Sequence, residues 1–216
     1  SNDFGSVESG VVEVLISDSL LNGLVGWWKF NESNGTVAYD SSGNGNDGSL
    51  TNGPTWATGK IGGALSFDGV DDYVDVGDFQ WGEDISIASW VKYKAFQSHS
   101  RIIDFGNGQS ANNVIIANHA DTGQMYFKAY NSSVSNIYIS NMWLLDEWIH
   151  FVAIIDEFGV MKIYKDTILK DSKTGGSKPN SISRTKQYIG KSNWAADSYF
   201  KGLIDDVRIY DRALSA

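Results

Sequence analysis

The sequence predicts an all-β fold in which two antiparallel sheets pack face to face as a jelly roll. Apolar residues alternate with polar ones or form short β-branched runs, and the 3.6-residue period of an amphipathic helix is rare. Gly, Asn, Asp and Ser interrupt these runs at short intervals, as turn residues do. The 26 acidic residues divide into 20 Asp and six Glu, although Glu is the better helix former. We therefore expect many short strands and little helix.

Eleven segments fit strands, which is more than an ordinary immunoglobulin-like sandwich needs and suits a jelly roll. Each of them begins or ends beside Gly, Asn, Asp or Ser. In the clearest one, every second residue from Ile85 to Tyr93 shares one face, while Trp90 and Lys92 lie on the other. We expect the Ile85 face to be buried. In chain order the predicted strands are Leu24–Phe30, Ala64–Phe67, Tyr73–Val76, Ile85–Tyr93, Arg101–Phe105, Val114–Ala117, Met125–Tyr130, Trp148–Ile155, Val160–Lys165, Gln187–Ile189 and Leu203–Tyr210.

The length of 216 residues suits a single β-sandwich domain. Hydrophobic residues make up 42% of the chain and aromatic residues 13%, which is enough for a core and excludes a wholly disordered chain. Residues 1–22 precede the first of the predicted strands. We interpret them as a linker or an edge strand, and residues 23–216 as the domain.

Charge and cysteine content exclude several classes of function. The net charge of −9 and the isoelectric point near 4.7 disfavour a phosphate backbone as partner, so we expect no nucleic-acid binding. The absence of Cys excludes disulfides, thiolate catalysis and Cys-ligated zinc. No apolar run reaches the roughly 20 residues of a membrane span, so no membrane insertion is expected.

Three ordered motifs carry a family resemblance. They read GLVGWWKFNESNGTVAYDSSGNGNDGSL from Gly23, GGALSFDGVDDYVDV from Gly62, and GLIDDVRIYDRALS from Gly202. Together they resemble the laminin G-like jelly-roll domains of the concanavalin A-like lectin/glucanase superfamily. The resemblance implies a concanavalin A-like jelly roll with adjacent first and last strands, in a larger multidomain protein. One hairpin departs from the pattern, because Lys165-Asp166-Thr167 stands where the family usually has Val-Asp-Gly.

Enzymatic motifs are missing from the chain. Glycoside hydrolases of the same fold carry Glu-x-Asp-x-x-Glu on one strand, which places two carboxylates about 5 Å apart. None of the six glutamates here has Asp two positions later, and no Gly-x-Ser-x-Gly elbow exists. The histidines at 99, 119 and 150 are too far apart in sequence for a His-x-x-x-His helix pair. We therefore predict that the domain is not an enzyme.

One loop alternates oxygen-bearing side chains, as a calcium site does, in the segment from Asp40 to Asn46. A self-contained EF-hand is excluded, because position 51, where its bidentate Glu would stand, is Thr. The resemblance implies a structural calcium ion shared between this loop and an acidic residue of the last strand. The alternative is an Asx-rich turn, with Asp206 paired to Arg208. The predicted ligands are Asp40, Ser42, Asn44, Asn46, Asp205 and Asp206.

Aromatic residues outside the predicted strands point to sugar binding. Sugar rings present apolar C–H faces that stack on exposed Trp or Tyr, and their hydroxyls need polar partners. Loops on a rigid sandwich tend to carry recognition, so we place the ligand on a loop edge or sheet away from the calcium loop. For each residue alone, a turn or core role is the alternative. The predicted ligand-binding residues are Arg101, Asn107, Asn112, Trp143 and Trp194.

These features predict a non-catalytic carbohydrate-binding module of a secreted or cell-surface protein, stabilised by a structural calcium ion. The alternative is a protein–protein adhesion or architectural module on a cell or virion surface, whose partner is a surface protein. A groove with exposed tryptophan would favour the sugar, whereas an apolar patch above a few hundred Å² on one sheet would favour the protein partner.

Overall fold

The computed structural model describes residues 20–215, which form two eight-stranded antiparallel sheets and a two-stranded ribbon. This architecture confirms the predicted all-β sandwich. Most of the predicted linker, residues 1–19, lies outside the described residues. Within residues 20–215, no helix is long and apolar enough to cross a membrane. The strands are β1 (Leu24–Trp28), β2 (Val37–Ala38), β3 (Gly48–Thr51), β4 (Thr55–Thr58), β5 (Gly63–Asp68), β6 (Tyr73–Asp75), β7 (Phe79–Trp81), β8 (Ile85–Ala95), β9 (Arg101–Gly106), β10 (Val114–Asn118), β11 (Met125–Tyr130), β12 (Val134–Ile139), β13 (Ile149–Ile155), β14 (Met161–Lys165), β15 (Ile168–Lys173), β16 (Ile182–Arg184), β17 (Lys186–Ile189) and β18 (Lys201–Tyr210).

The first sheet has the order β15-β14-β13-β8-β18-β5-β4, and β1 also pairs with β18. The second sheet has the order β12-β11-β10-β9-β17-β6-β3-β2, and β16 pairs with β7 in the small ribbon. Half of the strand pairings in the two large sheets join strands that are not consecutive in sequence, such as β8 with β18 and β9 with β17. Side chains that are far apart along the chain therefore meet on one sheet face.

All eleven predicted strands are present, with boundaries within two residues of those predicted. The predicted face of β8 is also confirmed, because Ile85, Ile87 and Val91 are buried while Trp90 and Lys92 are partly exposed. The strands that the alternation does not predict are β2, β4, β7, β12, β15, β16 and, as a full strand, β3. Most of these are very short or polar, like the fully exposed β15, so they leave little hydrophobic signal.

Strand β18 holds the first sheet together and pairs with the first strand, β1. Its full length pairs with β8, its first half with β5, and its second half with β1 through Trp27↔Arg208 and Trp28↔Val207. The change of partner coincides with a β-bulge between Asp205 and Arg208, where Asp206 has φ of 53°. The predicted contact between the first and last strands of the domain is thus confirmed.

The core lies between the inner faces of the two sheets. Aromatic rings from different strands meet edge to face: Phe105 on β9 lies 6.3 Å from Trp28 and 5.9 Å from Trp81, measured between ring centroids. Such contacts add to the burial of large apolar area. Each sheet also has an outer face, which points away from this core. The two outer faces differ in the side chains that they carry.

Candidate functional site on the outer face of the second sheet

Aromatic side chains cover the outer face of the second sheet. Strand alternation sends Phe127 into the core and its neighbours on β11 outward. Paired strands continue the pattern, so that the rings of Tyr126 and Tyr138 lie 5.9 Å apart. At the other side of the sheet the rings of Tyr73 and Tyr188 lie 5.4 Å apart. We call this surface the tyrosine face and define it by Tyr73, Tyr126, Tyr130, Tyr138 and Tyr188.

The segment between β17 and β18 lies against the tyrosine face. Its Trp194 ring lies 5.7 Å from that of Tyr130 and packs on a small apolar cluster formed by Ile115, Ala117 and Tyr126. Trp194 is only half-buried, so part of its ring remains accessible. A cleft of about 320 Å³ opens beside it. The cleft is lined by Lys186, Tyr188, Lys191, Ser192, Asn193, Trp194, Ala195, Asp197 and Tyr199.

A buried arginine anchors this segment to the sheet. Arg101 donates from Nη2 to Asp197 at 2.5 Å, and its Nε lies 3.4 Å from Asp104. Its Nη1 donates to the hydroxyl of Tyr126, and its guanidinium lies 5.5 Å from the centre of the Trp194 ring. The guanidinium group therefore holds both a carboxylate of the segment and the underside of Trp194 in place.

Asp104 on β9 is the second anchor, and it is fully buried. Its carboxylate accepts from the Asn113 amide at 2.7 Å, from the Asn193 amide at 2.9 Å and from the Asn193 backbone N–H at 3.0 Å. Burial raises the pKa of Asp104, while Arg101 and the hydrogen bonds from Asn193 and Asn113 lower it. Asp104 therefore serves as a fixed acceptor beneath the cleft and does not reach solvent.

The segment is further ordered by its own hydrogen bonds. Ser192 donates from its hydroxyl to Asp197 at 2.9 Å and accepts from the Trp194 backbone N–H at 3.0 Å. Together with the Asp104 and Arg101 contacts, these bonds hold the cleft in one conformation before any ligand arrives. Preorganisation of this kind lowers the entropic cost of binding.

The structure brings together two of the predicted ligand-binding residues, Arg101 and Trp194. The two predicted asparagines contact neighbouring loops instead. Asn107 accepts from the Thr185 backbone N–H at 2.8 Å, and Asn112 accepts from the Nδ2 of Asn180 at 3.0 Å. Neither lines the cleft beside Trp194. We therefore assign Asn107 and Asn112 to bracing the loops that lead into β17.

The structure corrects the predicted ligand-binding role of Trp143. Its side chain is only 1% exposed and belongs to the main core, with its ring 5.6 Å from Tyr93 and 5.7 Å from Phe151. Its Nε1 donates to the Ala117 carbonyl at 3.4 Å. It stands outside any regular strand, which is why alternation did not mark it as buried. A ring enclosed on both sides cannot stack on a sugar.

The predicted calcium loop is assembled around Asp40. Its Oδ1 accepts from the backbone N–H groups of Trp27 and Ser42, and its Oδ2 accepts from the Ser42 hydroxyl and the Asn46 backbone N–H, at 2.7–3.0 Å. The side chains of Ser42, Asn44 and Asn46 all converge on the Val25 carbonyl, at 2.8–3.3 Å. Four of the six predicted ligands therefore lie together, with the Asn44 and Asn46 amides turned so that Nδ2 donates to the Val25 carbonyl.

The two aspartates of the last strand lie elsewhere. Asp205 accepts from the backbone N–H groups of Lys60 and Ile61, both at 2.8 Å, and its Oδ1 is buried without a hydrogen-bond partner. Burial raises the pKa of Asp205 to about 6. Asp206 pairs with Arg208 at 2.9 Å and accepts from the Trp27 indole N–H. Neither aspartate forms a hydrogen bond with a side chain of the Asp40 loop.

Several residues of the candidate site escaped sequence reasoning, above all Asp104, Lys186, Lys191 and Tyr188. A usable signal was present on β11, where Tyr126, Lys128 and Tyr130 alternate with apolar residues. That pattern predicts an aromatic outward face. The contribution of Asp104 could not be predicted, since it depends on a segment almost 90 residues further along the chain.

Comparison with known proteins decides the family. A laminin G family model, described as concanavalin A-like lectin/glucanases superfamily, matches residues 68–216, more than half of the chain. The chain belongs to this superfamily. The resemblance seen in the three motifs is thereby confirmed. A search of the curated proteins found no match.

Several solved structures have the same fold as this chain. Domain 4 of AbnA, an extracellular arabinanase from Geobacillus stearothermophilus, in complex with arabinotriose, aligns with a TM-score of 0.71 and 24% identity over 89% of this chain and 94% of its own. The ligand-binding domain of botulinum neurotoxin serotype D, in complex with N-acetylneuraminic acid, aligns with a TM-score of 0.66 and 15% identity over 92% of this chain and 50% of its own. Trypanosoma rangeli sialidase aligns with a TM-score of 0.62 and 16% identity over 90% of this chain and 32% of its own. At these identities the likeness shows the fold alone.

Proposed function

We propose that the domain is a non-catalytic carbohydrate-binding module of a secreted or cell-surface protein, and that the sugar lies in the cleft beside Trp194. The observation that carries this proposal is a half-buried tryptophan held over a sheet of outward tyrosines by the Arg101 and Asp104 contacts. The arabinanase domain with arabinotriose and the neurotoxin domain with N-acetylneuraminic acid support it by fold. The arabinanase is extracellular, which supports the proposed location.

The cleft suits a short oligosaccharide in size and chemistry. Its volume of about 320 Å³ is at the small end of ligand sites. Trp194, Tyr188 and Tyr199 offer apolar surfaces for C–H faces, and hydroxyls can bond to the ordered polar groups of Asn193 and Asp197. Because few groups contribute, we expect dissociation constants from millimolar to high micromolar.

A hydrolytic role receives no support from the cleft. Glycoside hydrolysis needs two accessible carboxyl groups on either side of the bond that is cut. Of the residues that line the cleft, Asp197 is the only acid, and its Oδ2 already accepts from Arg101 and Ser192. The nearby Asp104 is fully buried beneath the segment. We therefore propose binding without catalysis.

Replacing Trp194 by Ala should weaken glycan retention severalfold and leave the domain folded. Stacking on one aromatic ring contributes about 0.5–1.5 kcal/mol, which is about two- to tenfold in affinity. A glycan array followed by titration of the best ligand measures this. Trp56→Ala is the matched control, since Trp56 is also half-buried but lies on β4 of the first sheet. Equal retention of glycan by the wild type and Trp194→Ala would show that the sugar does not bind in the cleft beside Trp194.

One observation favours the adhesion alternative. The outer face of the first sheet carries a second cleft of about 300 Å³, lined largely by apolar side chains that include Val152, Ile154, Tyr164 and Leu214. Apolar surface of this kind suits a protein partner better than a sugar. An array without any retained glycan, combined with loss of a protein partner on Val152→Lys, would favour adhesion over carbohydrate binding.

We also propose that the Asp40 loop binds a structural calcium ion. The Asp40 carboxylate and the Val25 carbonyl support it, since hard cations prefer oxygen ligands. The Asn44 and Asn46 amides donate from Nδ2 to the Val25 carbonyl here and would have to turn to offer their Oδ1 atoms to an ion. We expect calcium to raise the melting temperature, because an ion that binds only the folded form stabilises it by about 2.7 kcal/mol at a hundredfold excess over its dissociation constant. Thermal melting with calcium, magnesium and a chelator measures the shift.

Two variants make the calcium test specific. Asn44→Ala should fold, since Asn44 is exposed, but should lose the calcium shift. The matched control Asn34→Ala, also exposed, should keep it. If calcium leaves the melting temperature of the wild type unchanged, the loop is a hydrogen-bonded turn only.

A further inference from the structure

The cleft beside Trp194 differs in charge from the rest of the protein. The chain as a whole carries a net charge of −9. The cleft, in contrast, is lined by the two lysines Lys186 and Lys191 and by one carboxylate, that of Asp197. The charge that a ligand would meet in the cleft depends on which of these side chains are already ion-paired within the protein.

The carboxylate is ion-paired within the protein and the ammonium groups are not. Asp197 pairs with Arg101 at 2.5 Å, and Arg101 also lies 3.4 Å from the buried Asp104, so one guanidinium group is shared by two acidic side chains. Among the described ion pairs of the protein, none involves Lys186 or Lys191. The charges that the cleft leaves available to a ligand are therefore positive.

Aromatic rings position one of these ammonium groups. Nζ of Lys191 lies 3.9 Å from the ring centre of Tyr73 and 4.6 Å from that of Tyr188. Both rings belong to the tyrosine face, and cation–π contacts hold the amine there without removing its charge. An anionic group that enters beside Tyr188 would meet an ammonium group already in place.

The same arrangement recurs on the other side of Trp194. Nζ of Lys128 on β11 lies 4.6 Å from the ring centre of Tyr126 and 5.8 Å from that of Tyr138. Lys128 also takes part in none of the described ion pairs. The tyrosine face thus presents unpaired ammonium groups, each resting on tyrosine rings, on both sides of the accessible tryptophan.

We propose that this site prefers acidic sugars, with a carboxylate or sulfate group bound by Lys186 and Lys191 and an adjacent ring stacked on Trp194. The inference rests on the proposed carbohydrate-binding function and names its ligand class. An anion pairs with the free ammonium groups, whereas a neutral sugar leaves them unpaired, so affinity differs between otherwise equal ligands. Because the lysines are partly or fully exposed, the preference should weaken as salt rises.

The test compares acidic glycans with their neutral parents on the full chain. Suitable pairs are oligogalacturonate with its methyl ester, sialyllactose with lactose, and sulfated lactose with lactose. We expect the acidic member to bind about tenfold more tightly at about 0.05 M salt, since exposed charge pairs contribute about threefold each, and the difference to shrink at about 0.5 M salt. The galacturonate and sialyl pairs report a carboxylate preference, and the sulfated pair reports a sulfate preference.

Lysine variants tie the preference to the cleft. Lys186→Gln with Lys191→Gln should reduce it to about twofold, and the corresponding Lys→Arg pair should retain it. The control pair Lys92→Gln with Lys170→Gln removes the same charge from the first sheet and should leave the preference unchanged. Equal binding of acidic and neutral members, with binding still lost on Trp194→Ala, would overturn the inference and leave the proposed function standing. An array in which no glycan binds would overturn the proposed function itself.

Discussion

Replacing Trp143 by Ala should lower the free energy of unfolding by about 3–5 kcal/mol, the usual cost of removing a large buried aromatic side chain. The ring fills space between Tyr93 and Phe151 in the main core, and nothing beside it is free to move into the gap without losing its own contacts. Urea unfolding followed by circular dichroism measures the change. Trp143→Phe keeps most of the apolar volume and should cost less.

The matched control for this prediction is Phe158→Ala. Phe158 is 77% exposed, so its removal should change the free energy of unfolding by about 0.5 kcal/mol or less. If Trp143→Ala kept full stability and lost glycan binding instead, Trp143 would be a ligand residue after all.

Replacing Arg101 by Met should destabilise the domain by about 3–5 kcal/mol, because it leaves the buried Asp104 without its cation. The change also has a pH signature. Burial raises the pKa of Asp104 in the folded state and Arg101 opposes that rise, so the variant should have a still higher folded pKa. The folded variant then holds its proton more tightly than the unfolded chain does. Its penalty should be smallest near about pH 4 and should grow as the pH rises toward the folded pKa.

Unfolding at several pH values tests this prediction, with Lys94→Met as the control. Lys94 and Asp146 form an ion pair at 2.5 Å, but their side chains are 46% and 64% exposed, so its loss should leave the free energy of unfolding nearly unchanged. Arg101→Lys keeps the charge and loses the fork geometry, so an intermediate stability is expected. A stability of Arg101→Met that equals the wild type at every pH would show that Asp104 is neutral in the native protein.

The fold was readable from local patterns, as β8 and β11 illustrate. On β8 the alternation of Ile85, Ile87 and Val91 marks the buried face directly, because successive side chains of a strand point to opposite sides. On β11, Met125–Tyr130, the predicted and observed boundaries coincide. Short or polar strands such as β2 and β15 were missed, since they form through pairing with neighbours that only the folded chain provides.

The candidate site was readable only in part. Arg101 and Trp194 lie together in the structure, with the buried guanidinium beneath the ring, and their role in ligand binding stays a prediction. Trp143 looked similar in sequence and is buried, since an irregular segment can still pass over the core. Asn107 bonds the backbone of a loop and Asn112 bonds the side chain of Asn180, and composition alone does not separate such uses of amide side chains from ligand binding.

Alternation and turn residues were enough to predict the sandwich, because each depends on residues close in sequence. The resemblance carried by three motifs implied its superfamily and the contact between its first and last strands. Long-range contacts decided the chemistry of the surface. Arg101 meets Asp197 across 96 positions, Asp104 meets Asn193 across 89, and Asp205 meets the Lys60 amide across 145. A buried charge is stabilised by whichever partner the topology brings to it. The order of strands β9, β17 and β6 therefore explains why the cleft keeps its lysines free while its acids are paired.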